Sequence, residues 1–239
     1  MNTNVKTALI TGASRGLGLA LARTLAQAGW QLIINARGQA ALSQAHQELE
    51  QWTTVTAVPG DISQKAHRQA LAVAVRAAGG LDLLVNNAGI LGPSPQPALL
   101  DYQLDVLETV FQVNVVAQLG VLQAVAGTLK PTARIINITS DAAVEPYAGW
   151  GGYGASKAAF EHLSAIFAVE LADQLPDVRV YWVDPGDMRT QMHQEAFPGE
   201  DISDRPLPEA SLPGFMGLIN GNLPNGRYQA QNFPVEAVA

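Results

Sequence analysis

Tyr153 and Lys157 stand four residues apart in "YGASK", with only small residues between them. On a helix, that spacing brings a phenol and an ammonium onto one face, one turn apart. An unperturbed phenol has a pKa of about 10, so it serves poorly as an acid or base at neutral pH unless its anion is stabilised. A fixed positive charge nearby favours the phenolate and lowers that pKa. The pair therefore reads as a proton donor tuned by a fixed charge. The competing reading is an ordinary surface pair on a small-residue helix, and the rest of the chain decides between them.

A second group of residues suits a phosphate. "TGASRGLG" (11–18) follows an apolar run and opens a helical one. Gly12 permits a tight turn, Gly16 lets a pyrophosphate approach the backbone, and Gly18 allows close packing of helix on sheet, with Ser14, Arg15 and Leu17 in the same loop. Free N–H groups at the helix start would face the negative ligand. At the end of the next apolar run, "NARG" (35–38) carries Asn35 and Arg37 and no acid. A carboxylate there would bind the adenosine ribose and repel a 2′-phosphate, whereas the guanidinium groups of Arg15 and Arg37 suit a planar phosphate contact. NADPH is therefore expected in preference to NADH.

These residues sit on a regular alternation of strand-like and helical runs. Strands are expected over 5–11, 30–36, 54–61, 81–89, 133–140 and 178–186, with a last short one over 226–231. Helical runs lie between them, including a long one over 104–129 broken near Asn114 and another over 153–175. Several strands are nearly continuous apolar runs, the pattern of a parallel sheet covered on both faces. The fold class is α/β, a doubly wound and mostly parallel sheet of about seven strands with helices on both faces. One domain over 1–239 is expected, with an irregular Pro-rich insertion over 187–215, short helices near 188–195 and 208–219, and no dividing linker.

Bulk properties narrow the function. The chain has 239 residues, 48% hydrophobic and 15% charged, and a formal net charge of −7. No basic tract is present to follow a nucleic-acid backbone, and no stretch has 18 continuous apolar residues to suggest a membrane span. The absence of cysteine excludes disulfides, thiolate catalysis and cysteine-bound metal. The start carries no export signal, which points to the cytoplasm. The four histidines form no metal-binding spacing and read as structural or exposed, so no metal is expected.

In order along residues 5 to 190, "TGASRGLG", "NNAG" (86–89), Asn114, Ser140, "YGASK" and "PGDMRT" (185–190) resemble the short-chain dehydrogenase/reductase family, whose sheet is Rossmann-type. The resemblance implies a nicotinamide dinucleotide and hydride exchange with a carbonyl or alcohol, usually in a homodimer or homotetramer. It implies Tyr153 as proton donor, Lys157 as its electrostatic partner and a ribose contact, Ser140 as donor to the substrate oxygen, and Asn114 as the residue orienting a relay water. It also implies that Asp61 and Ile62 border the adenine. Asn87, Ala88 and Gly89 would line the adenosine ribose, and Pro185, Gly186, Met188 and Thr190 the nicotinamide carboxamide.

The expected activity is NADPH-dependent reduction of a ketone or aldehyde in a small-molecule substrate. Alternatives are a 3-oxoacyl thioester reductase, an alcohol dehydrogenase working oxidatively, or a non-catalytic dinucleotide sensor. The loop 141–152, Gly-rich beside Trp150, would form one wall of the substrate site. The C-terminal end lacks the Gly-Gly turn that often supports a tetramer, while excess apolar surface on residues 158–171 suggests at least a homodimer.

Overall fold

The structure is a computed structural model describing residues 5–233; residues 1–4 and 234–239, the ends of the expected 1–239 domain, lie outside the described residues. Seven parallel strands form one sheet in the order β3-β2-β1-β4-β5-β6-β7. They are β1 Thr7–Thr11, β2 Gln31–Ala36, β3 Val55–Pro59, β4 Leu81–Asn86, β5 Leu129–Ile138, β6 Arg179–Asp184 and β7 Gly226–Gln229. The expected doubly wound α/β sheet is therefore present.

Its central strands are buried on both faces, which explains their unbroken apolar character. Successive side chains alternate faces. Ala8 and Ile10 of β1, with Leu32 and Ile34 of β2, join Leu21 and Leu25 of α1 (Gly16–Gln27) and Leu42 of α2 (Gln39–Leu49). Leu9 and Ile33, from the same strands, face Leu71 and Val75 of α3 (Lys65–Ala77) on the opposite side. Burying one such side chain is worth about 1.5–3 kcal/mol, so two filled faces fix the strand register.

The long apolar run divides into α4 (Leu104–Phe111), a π-helical turn over Gln112–Val116, and α5 (Ala117–Val125), so the break falls at Asn114 as expected. By length and composition this run could cross a membrane, yet Ala117, Val121, Leu122 and Val125 are buried against the sheet. The next helix, α6, covers Gly151–Ala172. In the Pro-rich stretch, α7 covers Gln191–Ala196, starting three residues later than the spacing suggests because Thr190 caps it by accepting the His193 N–H at 3.2 Å. A 3-10 turn over Pro208–Ser211 then leads into α8 (Leu212–Asn220), whose Phe215 and Leu218 close the first core face.

β5 begins at Leu129, before the expected Ala133, because Leu129 pairs with Leu81 ahead of a register irregularity. Helices α4 and α6 meet; Leu104 of α4 (72% exposed), Val116 of the π-helical turn, and Ile166 and Val169 (74% exposed) of α6 remain open to solvent.

Candidate active site

A cleft of about 1360 Å³ runs along the carboxyl ends of the strands. Its phosphate end is shaped by glycine. Gly12 and Gly16 adopt left-handed backbone, with φ of +67° and +55°, a region that costs glycine little. A methyl group on Gly18 would stand 2.4 Å from the Gly12 carbonyl oxygen and 2.6 Å from the Asn87 amide nitrogen. Gly18 is thus a packing glycine behind the cleft wall. Gly12, Ser14, Arg15, Gly16 and Leu17 line the wall itself. The first turn of α1 has neither a side-chain cap nor an acidic residue, so its N–H groups remain available to an anion.

Asn87 ties this loop to β4. Its Nδ2 donates to the carbonyls of Thr11 (2.9 Å) and Gly12 (3.1 Å), while the Thr11 hydroxyl accepts the N–H groups of Asn87 and Ala88, each at 3.0 Å. Asn35 lines the cleft, but its amide is engaged within the protein. Nδ2 donates to Val58 and Gly60 carbonyls and lies 2.8 Å from His67 Nε2, securing the turn that carries Asp61 and Ile62. His67 is thereby structural, and burial lowers its pKa. Asp61 steadies the same turn by accepting the Ser63 N–H at 2.8 Å. Arg37 is exposed at the cleft edge and makes no ion pair among the described residues, whereas Arg15 donates to the Gln191 side chain on α7.

At the other end, β5 delivers Ser140 and α6 delivers Tyr153 and Lys157. Ser140 caps the short turn Asp141–Ala143; its hydroxyl donates to Asp141 Oδ1 at 2.8 Å and accepts the Ala142 N–H at 3.2 Å. To donate to a substrate oxygen, this hydroxyl must turn from Asp141. Gly154 lets α6 press on that turn, since a methyl there would lie 2.6 Å from the Ala142 carbonyl. The small residues between Tyr153 and Lys157 therefore set a helix-to-loop distance as well as leaving the pair clear. Lys157 is buried; its Nζ donates to the Ile138 carbonyl at 2.9 Å and lies 5.5 Å from the Tyr153 ring centroid.

The electrostatics differ from the sequence-based expectation of a phenol lowered by its lysine. Burial pushes the Tyr153 pKa upward, Asp141 and Asp184 add to the rise, and only the Ser140 hydroxyl opposes it. Burial also pulls Lys157 down to about 8, against the raising effect of Glu161. A low-dielectric surround disfavours both charged forms, and the charges that raise the phenol's pKa are carboxylates.

Asn114, fully buried in the π-helical turn, accepts the Ile90 N–H at 2.9 Å and donates to the Ile90 carbonyl (2.9 Å) and the Ser156 hydroxyl (3.0 Å). Both amide hydrogens are committed, so the side chain clamps the loop after β4. Pro185, Met188 and Thr190 line the cleft beside Lys157, while Gly186 (φ +77°) lies behind it against Gln231.

The substrate end has an apolar wall. Leu91 and Ala142 contact Tyr153, with Trp150, Met192 and Ala196 packed around them. Trp150 meets both Tyr153 and Phe197 at ring-centroid distances of 5.9 Å, joining loop 141–152 to the residue that follows α7. Leu91 and Met192 escaped the sequence reading; the apolar pair "IL" directly after "NNAG" was the signal for the first.

Compared with known proteins, residues 6–201 match the family model described as short chain dehydrogenase. A benzil reductase ((S)-benzoin forming) of Saccharomyces cerevisiae is 34% identical over 200 residues, 80% of this chain and 74% of that one. A diacetyl reductase [(S)-acetoin forming] of Staphylococcus epidermidis is 34% identical over 192 residues, 78% and 73% of the two chains. Among solved structures, one described as a short chain dehydrogenase from Shigella flexneri complexed with NADP superposes with a TM-score of 0.86 at 27% identity, covering 95% of this chain and 97% of that one.

Burying Lys157 costs stability. Its folded pKa of about 8 lies below the unfolded value of 10.5, so the cost is complete below pH 8 and vanishes as pH rises through 10.5. Lys157→Met should therefore stabilise the protein without cofactor at pH 7, by about 3 kcal/mol for the removed charge less about 1 kcal/mol for the lost hydrogen bond to Ile138. Urea unfolding at pH 7, 9 and 10.5 should show that gain shrinking as pH rises.

Proposed function

Since the chain belongs to the short chain dehydrogenase family, we propose that it is an NADPH-dependent reductase of compact, uncharged carbonyl compounds, converting vicinal diketones to hydroxyketones. The carrying observation is the buried Tyr153, set against an apolar wall of Leu91, Ala142 and Trp150. Such a wall suits the alkyl or aryl flanks of a diketone. Reduction of benzil and of diacetyl by the two relatives, both vicinal diketones, supports the same class.

The cleft fits the dinucleotide on its own features: left-handed glycines, an uncapped α1 and an exposed Arg37. Gly12–Leu17 would hold the pyrophosphate, Arg15 and Arg37 the 2′-phosphate, Asp61 and Ile62 the adenine, and Asn87–Gly89 the adenosine ribose. Lys157 would bind the nicotinamide ribose, with Pro185, Met188 and Thr190 around the carboxamide. When bound, the cofactor would supply the hydride for the carbonyl carbon. Ser140 donates a hydrogen bond to the carbonyl oxygen as charge builds there. Tyr153 gives its phenolic proton to the same oxygen, and the raised pKa keeps that proton in place until the alkoxide forms. Lys157 stabilises the phenolate left behind. Asn114 holds the Ile90 backbone, and with it Gly89, against the lysine. The apolar wall excludes water.

We further propose a homodimer, in which a second copy covers Leu104, Val116, Ile166 and Val169 on α4, the π-helical turn and α6.

Tyr153→Phe should keep NADPH affinity while turnover of diacetyl or benzil falls by roughly 10²–10⁴-fold; near-normal turnover would remove Tyr153 as proton donor. Arg37→Ala should weaken NADPH binding by about 1.5–3 kcal/mol, the worth of a charge-assisted hydrogen bond, and leave NADH binding unchanged. Fluorescence titration with both dinucleotides checks this, and equal losses for the two would assign Arg37 another role. Sedimentation at micromolar concentration should give a species larger than the 25.3 kDa chain; a dominant monomer would exclude the dimer.

A further inference from the structure

One guanidinium outside the cleft touches the elements that carry the reaction. Arg227, on the edge strand β7, donates from Nη2 to the main-chain carbonyl of Ser140 at 3.1 Å. Its Nε donates to Glu161 Oε1 at 3.0 Å, and Nη2 lies 3.4 Å from Asp184 Oδ2. Glu161 stands one helical turn after Lys157 and accepts the Thr139 hydroxyl at 2.7 Å. Asp184 ends β6 and accepts the Gly186 N–H at 3.0 Å, just before the segment assigned to the carboxamide. The side chains of Glu161 and Asp184 are only 12% and 7% exposed, so the two carboxylates are costly to leave without a cation.

We propose that Arg227 is a positioning residue for carbonyl reduction. Its fork fixes the Ser140 main chain, and its charge balances Glu161 and Asp184 so that they do not act unopposed on Lys157 and Tyr153. The inference rests on the roles given above to Ser140, Tyr153 and Lys157. The planar guanidinium matters because it reaches a carbonyl and two carboxylates at once, which a lysine ammonium on a flexible stem does poorly. The charged and titratable groups facing the catalytic pair are Asp141 from the turn after β5, Asp184 from β6, Glu161 from α6 and, through the last two, Arg227 from β7.

Two separable effects follow. Losing the cation disfavours the phenolate and favours the ammonium, so either group's pKa moves upward. Losing the fork frees the Ser140 peptide without changing charge. The test compares pH profiles of kcat for diacetyl reduction by wild type, Arg227→Met, Arg227→Lys and the double variant Arg227→Met/Glu161→Gln, with cofactor saturating and unfolding of each followed separately. Arg227→Met should lower kcat about tenfold or more and move the alkaline limb upward by about one pH unit. Arg227→Lys should lose rate with the limb unmoved, and the double variant should return the limb towards wild type without restoring the rate. Four coincident profiles differing only in melting temperature would overturn the proposal and leave Arg227 a strand anchor. A wild type inert towards diketones and other neutral carbonyls would instead sink the reductase reading, and this inference with it.

Discussion

A parallel sheet brings the carboxyl end of every strand to one edge, and every functional loop of this protein hangs from that edge. The glycine loop follows β1, Arg37 follows β2, Asp61 follows β3, Asn87 follows β4, Ser140 follows β5 and Pro185 follows β6. Residues far apart in the chain meet there because the strands register side by side, not because each loop finds its own position. The register is held by side chains filling both faces, and a one-residue slip would turn each strand's buried set towards the wrong layer. Cross-ties then lock neighbouring strand ends, as where Asn87 and Thr11 join β4 to β1.

Much of this was legible in the residue pattern, for physical reasons that differ by element. The strands declared themselves because burial on both faces demands uninterrupted Leu, Ile and Val. The glycine loop was legible because left-handed backbone at Gly12 and Gly16, and the 2.4 Å gap at Gly18, tolerate nothing larger. The break at Asn114 was legible as a polar residue among apolar ones, although its consequence, a π-helical turn clamping Ile90, was not. What escaped depended on partners distant in sequence. Nothing in "GRYQ" says that Arg227 reaches Ser140, 87 residues earlier. Nothing in "NARG" says that the Asn35 amide turns towards β3 and His67.

Charge and burial oppose each other at the centre of the site. Spacing alone suggests an ammonium stabilising a phenolate. Once folded, the same pair is buried, the phenol holds its proton more tightly and the lysine less so. The protein by itself thus favours the protonated, donor form of Tyr153, the form that reduction needs. The carboxylates nearby strengthen that bias, Asp141 directly and Asp184 from the end of β6. On the proposed reading, preorganisation consists in keeping a weak acid protonated where an alkoxide would form.

The Arg227 network also bears on the open side of the sheet. Among the described residues β7 pairs with β6 alone, and edge strands are the easiest to detach. Here detachment carries an added cost, because peeling β7 away withdraws the guanidinium from Glu161 and Asp184, whose side chains are largely buried. The same four-residue strand would release the Ser140 carbonyl as it left. Fraying at the margin of the sheet and loosening of the centre of the cleft are thus one event.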